Sequence, residues 1–298
     1  MKPLIERIAA GEVLVSDGAM GTLLQARGLA SGECPESWCI SRPEVVRSIG
    51  EAYTAAGSDI LETNSFGGNA VKLARFNLQG KVREFNRTAA ALAKAAIGSG
   101  GYVAGSVGPT GKLLIEEGGD ADTAEFYDAF KQQVEALAEG GADLICIETM
   151  SSLSEAIEAI KAARQNTRLP IVCAFAFEAR KKGFFTMLGV KPERAAKEAI
   201  AAGADIVGAN CGNGVDGMIE ITRQMRAAVP DTPILIQPNA GVPELRDGKT
   251  LFKESAEYMA SRVHDLVAAG ANIIGGCCGT TPEHIMAIAR SVRNSVRV

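Results

Sequence analysis

Histidine is nearly missing from this chain: there are two residues, His264 and His284, in 298. Both fall in segments with helical periodicity, so a histidine-based hydrolytic triad is disfavoured. Aromatic residues make up only 5% of a chain that is 47% hydrophobic, so the core must be aliphatic and rich in alanine. There is no block of basic residues, and the net charge is 31 − 35 = −4. That balance argues against a broad nucleic-acid or anionic-membrane surface and favours small molecules or other proteins as partners. No apolar run approaches the roughly 18 to 20 residues of a membrane span. The opening MKPLIERIAAGEVLV lacks the apolar stretch and cleavage pattern of a secretion signal, and a cytoplasmic protein is expected. Seven cysteines in so long a chain do not form the dense framework of a small secreted domain. Reducing surroundings would leave them as thiols or metal ligands. No linker or compositional break interrupts the chain, and residues 1–298 are expected to form a single domain.

What is present is an internal echo. Ala56-Gly57-Ser58-Asp59-Ile60 is repeated as Gly140-Gly141-Ala142-Asp143-Leu144, Ala202-Gly203-Ala204-Asp205-Ile206 and Ala269-Gly270-Ala271-Asn272-Ile273. Each is a helix ending followed by a strand start, with glycine supplying the left-handed closing conformation. The intervals between echoes are about twice the length of one strand-helix unit, so a further strand belongs to each. Candidates are 13–17, 102–107, 171–177 and 234–237, which with the four echo strands make eight. Helix start signals fall between them: Ser41-Arg42-Pro43-Glu44, a capping box from Ser152 to Glu155, Lys191-Pro192-Glu193 and Thr281-Pro282-Glu283. Eight alternating strand and helix signals predict an α/β fold, a single (β/α)8 TIM barrel, with a doubly wound open sheet as the alternative. Segments 28–37, 118–120 and 242–250 read as excursions above the barrel.

In such a barrel, chemistry gathers where strands end. The sixth strand ends in Asn210-Cys211-Gly212, and the eighth in Gly275-Gly276-Cys277-Cys278-Gly279. Side chains alternate along a strand, so Cys277 and Cys278 can face one metal only if the backbone turns sharply, which the flanking glycines permit. A three-cysteine site of this kind favours zinc and leaves a coordination position for substrate. The same residues also allow a packed thiol pair, a redox couple with Cys211, or a glycine-rich phosphate cradle. Cys146 and Cys173 lie inside apolar strands and read as core, and Cys34 and Cys39, in a loop without accompanying metal-ligand pairs, as structural or incidental. Glu148 ends an apolar strand, where a buried carboxylate needs a cation: a substrate ammonium or a structural Arg or Lys. Asp17 follows the same logic, although Asp before Gly often simply fixes a turn.

At these residues the sequence resembles the homocysteine S-methyltransferase family, especially the homocysteine-binding barrel of cobalamin-dependent methionine synthase. The matching stretches are DGAMGT from Asp17, ETNSFGGN from Glu62, ETMSSLSEA from Glu148, NC at Asn210-Cys211, QPNAGVP from Gln237 and GGCCGTTPEHI from Gly275. The resemblance implies a (β/α)8 barrel in which Cys211, Cys277 and Cys278 hold catalytic zinc and homocysteine sulfur takes the open position. It also implies that Glu148 receives the substrate amino group, that the loops at Asp17-Gly18 and Ser65 hold its amino-acid end, and that Asn239 lies close enough to cover the zinc. The chain departs from the family after Cys211, reading Gly-Asn-Gly-Val where methionine synthases have a segment ending Gly-Pro. With one barrel and no room for folate and cobalamin modules, the resemblance implies that a methyl-corrinoid, carrying methylcobalamin, arrives on a separate protein.

Overall fold

The structure, a computed structural model, describes residues 2–246 and 249–295; Asp247 and Gly248 of the expected 242–250 excursion lie outside the described residues. Eight strands form one parallel sheet: β1 (Leu14–Val15), β2 (Ile60–Glu62), β3 (Tyr102–Val107), β4 (Leu144–Met150), β5 (Ile171–Phe175), β6 (Ile206–Asn210), β7 (Ile234–Gln237) and β8 (Ile273–Ile274). Their hydrogen-bonded order is β1-β8-β7-β6-β5-β4-β3-β2. The ring closes from β2 to β1 through a parallel bridge between Ser16 and Ile60, with the Asp59 N–H donating to the Val15 carbonyl at 2.7 Å. The loops after β1, β2 and β7 carry short extra helices, and each strand is followed by a main helix on the outside: α1 (Pro43–Ala56), α2 (Val82–Ile97), α3 (Thr123–Glu139), α4 (Leu153–Asn166), α5 (Pro192–Ala202), α6 (Val215–Ala228), α7 (Val263–Ala269) and α8 (Pro282–Ser295). This closure makes the molecule a (β/α)8 barrel and sets the open doubly wound sheet aside.

The expected strands all form, two of them shorter. Segment 13–17 pairs over Leu14–Val15 with Ser16 in the closing bridge, and 171–177 stops at Phe175, from which the chain runs into an antiparallel hairpin of Glu178–Arg180 with Gly183–Phe185. A second hairpin, Glu244–Arg246 with Lys249–Leu251, follows β7. Three-residue strands are too short to display a period of two, so the sequence pattern predicts neither hairpin. Residues of β3, β5, β6 and β7 are all buried, as expected of apolar runs covered on both faces. The short helix Leu4–Ala9 plugs the barrel floor, packing Leu4 and Ile8 against Leu14, Ile60, Leu144 and Ile206.

The echo turns out to carry more than turns. Gly57, Gly203 and Gly270 close their helices in the left-handed conformation, and in the second repeat Gly141 takes that role at φ 98°. The acid or amide two residues further on reaches back to an N–H near the start of the preceding odd-numbered strand. Asp59 accepts from Val15 at 2.9 Å, Asp143 from Val103 at 2.8 Å, Asp205 from Ile171 at 2.8 Å and Asn272 from Ile234 at 3.0 Å. Each is also bonded by a cation: Arg7, Lys94, Arg164 and Arg226 respectively. Four sockets therefore clamp β1 to β2, β3 to β4, β5 to β6 and β7 to β8 at the N-terminal end, satisfying strand N–H groups that the ladder leaves over.

Candidate metal centre and substrate cavity

A cavity of ≈ 260 Å³ opens at the C-terminal ends of the strands. Its wall includes Cys211, Cys277, Cys278, Glu62 and Glu148, and no Lys, Arg or His among the described residues lines it. The three sulfurs lie within 4.8 Å of one another, with Cys211 and Cys278 at 3.9 Å. None is bridged: all seven cysteines are free, and these three are half-buried while the other four are buried. Three close, unbridged, soft donors on a cavity wall fit a thiophilic metal ion.

The backbone sets this spacing without help from a metal. Gln237 to Ala240, after β7, acts as a splint between the two cysteine loops. Cys211 N–H donates to the Gln237 carbonyl and Asn239 N–H to that of Asn213. On the other side Cys277 N–H donates to the Pro238 carbonyl and Ala240 N–H to that of Cys278. The sharpest local turn is at Cys211, not at the vicinal pair: Cys211 has φ 60° and Gly212 φ 77°. Of the glycines around Cys277-Cys278, only Gly279 is left-handed. Gly275 and Gly276 are required by crowding, since a Cβ would meet the Asp17 carbonyl at 2.7 Å and the Thr280 hydroxyl at 2.5 Å. The N–H groups of Gly275, Gly276, Cys277 and Thr280 are committed to carbonyls, so most of this loop's backbone donors are not available to cradle a phosphate.

Protons are shared unevenly among the sulfurs. Hydrogen bonds from Cys277 and then Cys278 favour the Cys211 thiolate and lower its pKa. The same contacts hold protons on the other two, raising Cys277, and Cys278 to about 11. Asn239, buried behind Cys211, adds to the stabilisation of that thiolate.

The acids share the cavity wall with the sulfurs. Glu148 accepts from Ser106 Oγ at 2.5 Å and from Asn210 Nδ2 at 3.1 Å, and no Lys or Arg pairs with it among the described residues. Glu62 accepts from Gln237 Nε2 at 2.9 Å and more distantly from Cys146 Sγ at 3.6 Å. Burial first, and then the proximity of Glu62, pushes Glu148 well above the usual carboxylate range. Burial and Asp17 raise Glu62 to about 7. Buried carboxyls without a cation hold their protons because the anion is poorly solvated.

The predicted site residues are brought to one end of the barrel, though not all to one wall. Gly18, Ser65 and Glu148 line the cavity with the three cysteines. Asp17 and Asn239 lie behind it. One Asp17 oxygen accepts the Glu62 N–H at 2.9 Å, so it closes the β1–β2 seam. Ser65 faces the cavity, but its hydroxyl donates to the Ser106 carbonyl at 2.7 Å. Cys146 and Cys173 are core, as expected; Cys34 and Cys39 are buried in the loop after β1. His284 bridges Thr281 and the Glu254 carbonyl, and His264 is exposed on α7. Glu62 and Gln237 also line the cavity, and Asn210 bonds Glu148, roles the sequence motifs alone do not assign. The signal for Glu62 was the one used for Glu148, a carboxylate ending an apolar strand.

A closed (β/α)8 barrel with an unbridged three-thiol cluster on the cavity wall with buried carboxyls defines a barrel whose candidate centre is built of sulfur and whose two imidazoles do not line the cavity. Comparison with known proteins makes this specific. The model of the family described as homocysteine S-methyltransferase matches residues 14–292, and the chain belongs to that family. Methionine synthase of Mycobacterium tuberculosis is 31% identical over 311 residues, an alignment covering 97% of this chain and 25% of that protein. The chain thus spans about a quarter of the length of the curated relatives it matches. Among solved structures, the homocysteine methyltransferase MmuM of Escherichia coli matches in its metallated form with a TM-score of 0.80, at 23% identity over 100% of both chains. Its oxidised form gives 0.79 at 25% identity, over 97% of this chain and 99% of that one.

Proposed function

We propose that this chain, with residues 1–298 acting as one unit, transfers a methyl group to the thiol of homocysteine to give methionine, and that Cys211, Cys277 and Cys278 hold a zinc ion. The observation that carries this reading is the trio of unbridged sulfurs within 4.8 Å of one another, on a cavity whose charged lining side chains are all acids. Bound there, zinc would supply the Lewis acidity that keeps a substrate thiol anionic at neutral pH, where a free thiol of pKa about 8.5 is mostly protonated. The protein's own groups do the rest. Glu148, lacking a cationic partner in the protein, takes the substrate ammonium, which restores it to the carboxylate. Gly18 and Ser65 shape the wall at the amino-acid end. A Cβ on Gly18 would strike Thr280 Oγ1 at 2.6 Å and the Tyr53 hydroxyl at 2.9 Å, so the wall there is fixed. Asp17 and Asn239 act from behind, holding the seam and the Cys211 sulfur.

For the methyl donor we propose a methylcobalamin-bearing corrinoid protein, supported by the similarity to a methionine synthase along nearly the whole chain. The absence of basic side chains from the cavity wall among the described residues favours a second reading, a small onium donor: S-methylmethionine, S-adenosylmethionine or betaine. A reducing compartment, the cytoplasm, suits seven free thiols; no helix among the described residues is long and apolar enough to cross a membrane. Metal content and sulfur-to-metal coordination by X-ray absorption, with and without homocysteine, test the assignment. Cys211→Ser, Cys277→Ser and Cys278→Ser should each lose the metal. Full retention in all three would overturn the ligand set. Methionine formed with a small-molecule donor would rule out a thiol-binding subunit that catalyses nothing alone.

A further inference from the structure

Strand β4 is irregular where it reaches the cavity. Its register against β5 shifts between Ile147 and Met150, and Thr149 has φ 58°. A β-branched residue in the left-handed region is a genuine outlier, held only where surrounding bonds over-determine it. Besides a bond from Thr149 Oγ1 to Glu148 Oε2 at 3.3 Å, those bonds come from one side chain, Asn210, fully buried at the end of β6. Its Oδ1 accepts the Thr149 N–H at 2.7 Å. Its Nδ2 donates to Thr149 Oγ1 at 2.7 Å and to Glu148 Oε2 at 3.1 Å, and lies 3.8 Å from the Cys277 sulfur. A single amide therefore grips the distorted backbone, the carboxylate that the distortion aims, and the edge of the thiol cluster.

We infer that Asn210 is a positioning residue that fixes the Glu148 carboxylate at a set separation from the Cys277 sulfur, so that the site selects thiols carrying an amino group at the matching distance. This rests on Glu148 being the amino-group receptor. Bulges next to active sites commonly re-aim a side chain; here the re-aiming is conditional on a residue from another strand. The approach of Asn210 to Cys277, at 3.8 Å, is longer than its bonds to Thr149 and Glu148, at 2.7 and 3.1 Å, so its loss should weaken recognition of the amine more than binding of the sulfur end.

The test uses the zinc-loaded protein and two probes, L-homocysteine and 4-mercaptobutanoate, which is homocysteine without its amino group. Dissociation constants are measured by titration calorimetry, with metal content and far-ultraviolet circular dichroism on the same samples. The wild type should prefer homocysteine, and Asn210→Ala should lose about tenfold of that preference, mainly through weaker homocysteine binding, with one metal per chain retained. Should Asn210→Ala fail to fold, the double variant Asn210→Ala with Thr149→Gly relieves the backbone strain, since glycine accepts φ 58° freely, and should show the same loss. An undiminished preference in a folded, metal-loaded variant overturns the inference, as does equal weakening of both thiols. A wild type without any preference would overturn the assignment of Glu148 itself.

Discussion

Glu62 opposes folding through its charge. Its carboxyl is moved from an ordinary 4.5 to about 7, chiefly by burial and then by Asp17, so the folded state holds the proton more tightly than the unfolded chain. Its contribution to stability is complete below pH 4.5 and is lost as pH rises through 7. Glu62→Gln should therefore raise the unfolding free energy at pH 8 by on the order of 2–3 kcal/mol, and leave it nearly unchanged at pH 4, as denaturant titrations at the two pH values would read. Equal stabilisation at both would show that packing, not ionisation, dominates. Single residues were unevenly legible. Glu148 announced itself because a carboxylate closing an apolar strand needs a partner. Asn210 did not: its side-chain partners lie 61, 62 and 67 positions away, and nothing in a sequence marks a threonine as left-handed against its own propensity.

At the scale of the element, the four sockets offer an experiment already half done by the chain. The last echo carries Asn272 where the others carry Asp, and it still accepts the strand N–H at 3.0 Å. All four keep the strand contact and a bond from a basic side chain, and what Asn272 gives up is the charge pairing; where that pairing remains it is part-exposed, Lys94 with Asp143 being 42% and 30% accessible. Asp143→Asn should cost less than about 1 kcal/mol, whereas Asp143→Ala should cost about 1–3 kcal/mol by orphaning the Val103 N–H. Thermal unfolding of the two variants separates these outcomes; equal losses would mean the ion pair dominates. The strands and their order were readable because the echo repeats a physical device, a helix stop and a strand start. The hairpins after β5 and β7 were not, because their strands are three residues long. The departure after Cys211 includes a structural contact: Asn213 Nδ2 donates to the Phe177 carbonyl at 2.6 Å, pinning the cysteine loop to the chain leaving β5.

Over the whole molecule, the seven thiols fall into two populations. Cys34 and Cys39 are pushed up to about 12 by burial, and burial raises Cys146 and Cys173 as well. Only Cys211, Cys277 and Cys278 are part-exposed, and among them the contacts from Cys277 and Cys278 stabilise the Cys211 thiolate. Metal-stripped, reduced protein should give a fast phase of up to three thiols with a disulfide reagent and a slow phase of four, the fast phase being suppressed on adding zinc. A fast phase that zinc leaves untouched would contradict the shared site. Stripping should spare the helical circular dichroism, since the splint after β7 and the apolar core hold the loops unaided. The sockets that rivet paired strands stand at the end of the barrel opposite the cavity. The chain thereby keeps its fastening hardware and its chemical workshop on separate floors, so the upper loops can be re-tooled for another acceptor or donor without loosening the frame beneath them.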